Sequence, residues 1–600
     1  MKLSRLLILL TISTLGLVSQ VQAQGWPHQI TPEEKAYIER IGNNPRMTRG
    51  ITTPPEYSEL RAAAEWEEIE ALTISWVTES YTYRCILKQI ATAAISECKV
   101  IIFTDDYWNV YDYLTSNTCG NAISLDNIDI VEEPVNSIWI RDYGANTVYG
   151  SWNDDRILVD WIYNRPRYDD DVIPDALGEH LTIDVYSTTA EPYDLMNTGG
   201  NYMSDGFGMA FESELITEEN DGSSEWWTTF PDHTVPEIES IMEEFMGIHT
   251  LVQMETLPYD GIHHIDMHMK LLDESTLLVS EYPDGVADGP QINANLEYVL
   301  SNYTTKWGTP FEVIRIPSPP MQNGNYPDAN GWYQTYSNAV FVNNKVILPT
   351  YYTEYDTTAI RIWEEALPGY EIVGIDCDSG QNDIISLSGA IHCITHSVGV
   401  EDPLMISHLP LEDTNNNTSP YTVEGYISHR SGIASATVHY ALSPEGPWSD
   451  VVMVDSGNGE DFTADIPAQT SGSTIYYYIS AIANTGKTGA RPMPAPSGWW
   501  KFNVSGGIGV ADLEIGNFSP IFPNPASAIT CIPVKLLTGS NCKVVLYNAL
   551  GAEIQQIHSG FIPVGERKLF FDASSLAPGA YSVSLLVEGR VVHAQQVMVK

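Results

Sequence analysis

A change of texture at Glu401-Asp402-Pro403 constrains the fold of this chain more than any other feature, because it separates two kinds of secondary structure. Before it, apolar strand-like runs such as Ala71-Leu72-Thr73-Ile74-Ser75-Trp76-Val77, Lys99-Val100-Ile101-Ile102-Phe103 and Lys345-Val346-Ile347-Leu348-Pro349 alternate with stretches of helical period. Within 236–246, Ile238, Ile241, Met242 and Phe245 fall at helical spacing behind Pro236, a residue suited to a helix start. Repeated exchange of strand and helix predicts an α/β domain over residues 24–400. After the boundary, nearly everything reads as strand and turn. Ala436-Thr437-Val438-His439-Tyr440 and Thr474-Ile475-Tyr476-Tyr477-Tyr478-Ile479 are β-branched and aromatic, and Gly446-Pro447 and Gly457-Asn458-Gly459 punctuate them.

Six hundred residues exceed what one core can serve, so several domains are expected. Residues 401–505 look like an immunoglobulin-like β-sandwich without that fold's cysteine pair. The Pro-rich segment Arg491-Pro492-Met493-Pro494-Ala495-Pro496 is expected to run as an edge or extended connector. Gly506-Gly507-Ile508-Gly509 opens a linker over 506–514, and a small second β-domain occupies 515–600.

Hydrophobic residues at 43% and charged residues at 18% describe a globular chain, not a disordered one. A formal net charge of −49 excludes the usual nucleic-acid binder, which must neutralise phosphates with Lys and Arg. Such acidity attracts cationic molecules over short range, and it also keeps an exported chain in solution. Residues 1–23 read as a secretory signal: Lys2 and Arg5, an apolar run over 6–18, then Val21-Gln22-Ala23 as the cleavage site, with the mature chain starting near Gln24. No later stretch is long and apolar enough to span a bilayer. Seven cysteines are too few to be the scaffold. Cys85 with Cys98, and Cys531 with Cys542, lie close enough in sequence to pair, but geometry decides. The odd number leaves at least one thiol unpaired unless an intermolecular bond forms, and Cys393 is assigned to that role.

Four short motifs carry the chemistry: Trp139-Ile140-Arg141-Asp142-Tyr143-Gly144, Gly261-Ile262-His263-His264-Ile265-Asp266, Tyr336-Ser337-Asn338 and Ser388-Gly389-Ala390-Ile391-His392-Cys393-Ile394-Thr395. Together they offer a thiol nucleophile, an imidazole and two carboxylates. Two carboxylates can clamp a guanidinium, an imidazole can move protons, and a thiolate can attack the central carbon. In extended chain, alternate residues share a face. That rule sends His264 and Asp266 to one side with His263 away, and it puts Ile391 and Cys393 opposite His392.

On these residues the region from about 55 to 398 resembles the guanidine-modifying superfamily, whose pentein fold is an α/β-propeller of five αβ modules about a pseudo-fivefold axis. The matching elements are Trp139-x-Arg141-Asp142, Asn197-Thr198-Gly199-Gly200-Asn201, His264-x-Asp266, Asn338 and Gly389-x-Ile391-His392-Cys393. The nearest families are agmatine deiminases and bacterial peptidylarginine deiminases of the Porphyromonas type. The resemblance implies that Asp142 and Asp266 hold the substrate guanidinium, Cys393 attacks it, His264 is acid and then base, and Asn338 orients a neighbour or contacts substrate. Those steps call for no metal or organic cofactor. The thiolate would be favoured by protonated His264 or by the substrate cation itself.

Trp139 either covers the guanidinium or belongs to the core. Arg165 and Arg167, in Tyr163-Asn164-Arg165-Pro166-Arg167, stand where the bacterial peptidylarginine deiminases carry a carboxylate-binding arginine pair. A free α-carboxylate beside arginine implies a C-terminal arginine in the peptide or protein substrate. In the other reading the two are surface charges balancing Asp169, Asp170 and Asp171. The tail, with Phe522-Pro523-Asn524-Pro525, Leu576-Ala577-Pro578-Gly579-Ala580-Tyr581 and Val597-Met598-Val599-Lys600, resembles the C-terminal sorting domain of type IX secretion cargo in the Bacteroidota. It implies that secretion machinery as a partner and a place outside, or on the outer surface of, a Gram-negative cell. Two alternatives stand beside the secreted peptidylarginine deiminase: a secreted agmatine deiminase, and a surface adhesin whose α/β region is a degenerate enzyme.

Overall fold

The computed structural model describes residues 28–41, 49–77, 83–286, 288–327, 332–379, 383–505, 516–548, 551–587 and 590–600. The expected signal at 1–23 and linker at 506–514 lie outside the described residues.

Between residues 60 and 399 the strands form five small open sheets that repeat one wiring. An antiparallel pair comes first, and its second strand continues through a helix to a parallel neighbour, as parallel pairing requires. Asn146–Gly150 pairs with Asp155–Tyr163, which returns through helix Ile173–Leu181 to Val185–Thr188. Met203–Ser204, Met209–Ser213, helix Val235–Met246 and Thr250–Met254 follow the same path. So do Met269–Asp273, Thr276–Glu281, helix Gly289–Asn302 and Glu312–Pro317. The fourth set is Val340–Val342, Lys345–Thr350, helix Thr353–Ala366 and Glu371–Asp376. The fifth sheet ties the ends of the region together: His396–Gly399 runs antiparallel to Ile69–Trp76, which returns through helix Arg84–Ala94 to Lys99–Thr104.

Local chemistry explains these elements. Helix Val235–Met246 starts with a Thr234/Glu237 capping box and a proline in its first turn, and ends at left-handed Gly247. Its stripe of Ile238, Ile241, Met242 and Phe245 packs with Val148, Val159 and Trp161 of the first sheet. Burying Phe245 alone contributes about 1.5–3 kcal/mol. Ile69–Trp76 and Lys99–Thr104 are buried along nearly their whole length, the pattern of strands covered on both faces.

Residues 404–504 fold into two antiparallel sheets over a shared core that includes Val423, Ile427, Val438, Tyr477 and Phe502. Strict alternation in Tyr421–Ser428 and Ser473–Ala483 sends one face of each strand inward. The Pro-rich segment departs from expectation: 492–497 coils into consecutive turns, with Ala495 N–H donating to Pro492 O and Ser497 N–H to Pro494 O. Prolines that close turns need no ladder partner, so the segment need not extend. The tail from residue 516 forms two more antiparallel sheets with their own core. Its Phe522, Ile529 and Cys531 pack into the core of the α/β region, and the Arg361 guanidinium lies 4.0 Å over the Phe522 ring.

Neither cysteine pairing suggested by sequence proximity forms. Cys85 bonds to Cys119, whose Cα lies 5.4 Å away, while Cys98, Cys377, Cys393, Cys531 and Cys542 are buried free thiols. No described helix is long and apolar enough to cross a membrane.

Candidate active site

Each of the five sheets is preceded by a short turn, and the turns meet in one place, four bringing a polar side chain and one a bare glycine. Asp142 lies on the single-turn helix Ile140–Tyr143, just before Asn146–Gly150. Gly200 lies in the 3₁₀ turn Gly199–Asn201, before Met203. Asp266 lies in the 3₁₀ turn Ile265–Met267, before Met269. Asn338 lies two residues before Val340, and Cys393 lies in the 3₁₀ turn His392–Ile394, before His396. A site assembled from equivalent loops of repeated units is held by five separate sheets, so its geometry is stiff.

The Cys393 sulfur lies 3.2 Å from Asn338 Nδ2, which donates to it, and 3.5 Å from Asp266 Oδ2. His264 Nδ1 is 3.7 Å from Asp142 Oδ1, too long for a hydrogen bond. Both imidazole nitrogens of His264, Asp142 Oδ1 and Asp266 Oδ1 are buried and have no hydrogen-bond partner among the described residues. Behind them runs a closed ionic network. His392 Nδ1 bonds Asp266 Oδ2 at 2.8 Å and His392 Nε2 bonds Glu65 Oε1 at 2.7 Å. Glu65 also takes Lys270 at 2.6 Å and Arg141 at 3.2 Å.

Burial and the nearby Asp266 and Asp142 charges push the Cys393 thiol well above its usual range. Burial also lowers His264 to about 4, with Asp142 opposing the fall. At rest, therefore, Cys393 is a thiol and His264 a neutral imidazole. Burial works to raise Asp142, but the facing His28 and His264 bring it below the usual carboxylate range. Against the same burial cost, the His392 hydrogen bond holds Asp266 down. Two buried carboxylates, each with one oxygen left unpaired, define a place that a planar cation can answer.

Gly200 is required by proximity. A Cβ there would stand 2.5 Å from His264 Nδ1 and 3.0 Å from Asp142 Oδ1. Gly200→Ala is expected to lower kcat by roughly 10²-fold, the scale of an ångström misplacement, with the melting temperature little changed. Steady-state kinetics beside a thermal melt checks this.

His264 and Asp266 both reach the cluster, though not by extended alternation. His263 adopts a left-handed φ of 60°, and a 3₁₀ turn follows. The same expectation fails for His392: because 392–394 is a 3₁₀ turn, His392 and Cys393 both contact Asp266. Trp139 is fully buried and carries the ring of His28 stacked on it at 4.4 Å and 9°. Arg165 lies at the edge, with Nε 3.4 Å from His28 O and a terminal nitrogen 3.8 Å from Glu219. Arg167 is not a surface charge. It is buried and gripped by both oxygens of Glu34, at 2.8 and 3.1 Å.

His28, Glu34, Glu65 and His392 as a contact of Asp266 escaped sequence reasoning. Nothing local marks His28, Glu34 or Glu65, since their partners lie more than 100 residues away in His28 and Glu34 and 327 away in the Glu65–His392 pair. His28, Asp142 and His264 bring one ligand atom each within 4.8 Å of one another. The direct hydrogen bond between His28 Nε2 and Asp142 Oδ2 leaves no room for an ion between those two donors.

The fold is that of a deiminase. An X-ray structure provisionally named agmatine deiminase superposes with a TM-score of 0.50 at 20% identity, over 59% of this chain and 100% of that one. The sequence matches the Porphyromonas-type peptidyl-arginine deiminase family over residues 61–398, and the chain belongs to that family, whose members are hydrolases of guanidino C–N bonds. A Legionella pneumophila protein provisionally named agmatine deiminase is 25% identical over 358 residues, 57% of this chain and 96% of its own length. The agmatine deiminase of Medicago truncatula is 24% identical over 381 residues, 58% of this chain and 98% of its own. Residues 520–600 match the secretion system C-terminal sorting domain, which marks the chain for type IX secretion to the cell surface or beyond.

Proposed function

We propose that this protein is a secreted peptidyl-arginine deiminase that converts the guanidinium of C-terminal arginines to citrulline, releasing ammonia. In this reading residues 24–400 are the catalytic domain, five αβ modules about a pseudo-fivefold axis. Residues 401–505 are an immunoglobulin-like sandwich and 515–600 the sorting domain. The observation that carries the chemistry is the set of unsatisfied buried acceptors, one oxygen each on Asp142 and Asp266, beside His264 and the sulfur of Cys393. A guanidinium offers planar N–H donors and a permanent positive charge that answer both carboxylates.

The substrate cation lowers the cost of a thiolate at Cys393, and the thiol proton passes to His264. The sulfur attacks the guanidinium carbon, and His264 returns a proton to the departing nitrogen, which leaves as ammonia. A covalent S-alkylthiouronium remains. His264 then takes a proton from water, whose oxygen attacks the same carbon. Collapse expels the thiol and leaves the ureido group of citrulline. Asn338 holds the sulfur throughout, and Trp139 offers its ring face to the cation.

Arg165 and Arg167 support a substrate with a carboxylate, since two guanidinium forks hold one well. The names of the relatives favour agmatine, which has no carboxylate. Ammonia release from a short peptide ending in arginine, compared with release from agmatine, separates the two. Arg165→Ala is expected to lower kcat/KM for the peptide about 10- to 100-fold, the worth of a charge-assisted hydrogen bond, and to leave agmatine within about twofold. Equal losses on both would remove the carboxylate clamp, and clear wild-type preference for agmatine would replace the peptide as substrate.

A further inference from the structure

The segment His28–Ile41 lies across the candidate site and matches it at two points. Its first residue places an imidazole where the guanidinium is proposed to sit: His28 is fully buried, stacked on Trp139, hydrogen-bonded through Nε2 to Asp142, and edge-on to His264 at 5.0 Å. A second hydrogen bond, from Nδ1 to Ser388 O at 3.0 Å, and the bond of its backbone N–H to Leu387 O at 2.9 Å fix the ring against the loop that leads to Cys393. A protonated imidazole is a flat cation with two N–H donors, and so imitates the substrate's group. The second point is Glu34. Thr31 caps the helix Pro32–Ile41 by accepting from Glu34 N–H at 3.1 Å, which sets Glu34 in the first turn. Its carboxylate is buried and grips Arg167 with both oxygens.

The segment makes further contacts along its length. A Cβ on Gly261 would fall 1.8 Å from Gln29 Nε2, so the side-chain end of Gln29 rests against the bare backbone of the loop that carries His264. Lys35 lies 4.8 Å over the Trp226 ring, and Ile38 is buried. A terminal segment that only decorated the surface would have no reason to put a cation surrogate against Asp142 and a carboxylate on Arg167.

We infer that residues 28–41 are an internal pseudo-substrate: a strap that occupies both the cation and the carboxylate positions and must leave before a peptide can enter. This deepens the proposed function and rests on it for the nature of the displaced substrate; coverage of Cys393 is a separate matter. While the strap is seated, only the small open fraction binds, so apparent affinity falls by that fraction.

The test uses the purified full chain, wild type against His28→Ala and, separately, Glu34→Gln. The rate at which iodoacetamide alkylates Cys393 is followed by mass spectrometry of the Cys393 peptide, alongside ammonia release from an arginine-terminated peptide. Each substitution is expected to raise both rates by about tenfold or more. Glu34→Gln keeps the shape of the contact, so it serves if His28→Ala alters the fold, which thermal melts report. Unchanged alkylation in both folded variants overturns the inference, as does faster alkylation with a lower kcat/KM for the peptide in a protein that turns the peptide over. Faster alkylation with no guanidine substrate consumed by any form upholds the strap and defeats the proposed function instead.

Discussion

Replacing Cys393 with alanine is expected to lower citrulline formation by on the order of 10⁴-fold or more, because the carbon–sulfur bond that divides the reaction into two steps can no longer form. The loss should appear in kcat, with ammonia release flat through the first turnover. Cys393 is fully buried, but its side chain is small, and the side chains it touches through polar atoms among the described residues are Asn338 and Asp266. Alanine should therefore cost only about 1–2 kcal/mol of stability. Circular dichroism and a thermal melt beside the kinetics separate lost chemistry from lost fold. Residual activity within tenfold of wild type would remove the nucleophile assignment.

Asp142→Asn is expected to reduce kcat/KM by about 10²- to 10⁴-fold, the equivalent of breaking a buried ion pair on one side. The change keeps the shape of the side chain and removes only its charge. Asp142 faces His28 and His264, and the Arg165 charge also favours its ionised form. Without its charge a guanidinium would be left with Asp266, already committed to His392, and a buried cation would be half compensated. Activity above about a tenth of wild type would reduce Asp142 to a partner of His28.

Much of this architecture can be read from residues in order. The strands at 71–77, 99–103 and 345–349 and the helix at 235–246 carry their period openly, because each buries one whole face or both. The four motifs name the residues that meet, since motif spacing encodes which loops lead into which strands. Local conformation inside those motifs is less legible. Alternation presumes extended chain, yet 265–267 and 392–394 are single 3₁₀ turns, so His392 stands beside Cys393 against Asp266 instead of opposite it. Partners chosen by tertiary contact are not legible at all. Cys85 pairs across 34 residues with Cys119, not with Cys98; Lys88, one turn along the helix of Cys85, holds the carbonyls of Ser116 and Thr118 just before Cys119. Glu65 becomes the hub for Lys270, Arg141 and His392 only once the first and last strands of the region share a sheet. His28 and Glu34 carry no motif, and only the folded chain puts them on Asp142 and Arg167.

The five free thiols described here are all shielded, while the one disulfide joins residues 85 and 119. An exported protein travels through surroundings that oxidise whatever sulfur they can touch. On the proposed mechanism, keeping the sulfur of Cys393 beneath side chains lets the chain acquire its crosslink in transit without spoiling the atom the reaction needs, so folding order doubles as chemical custody.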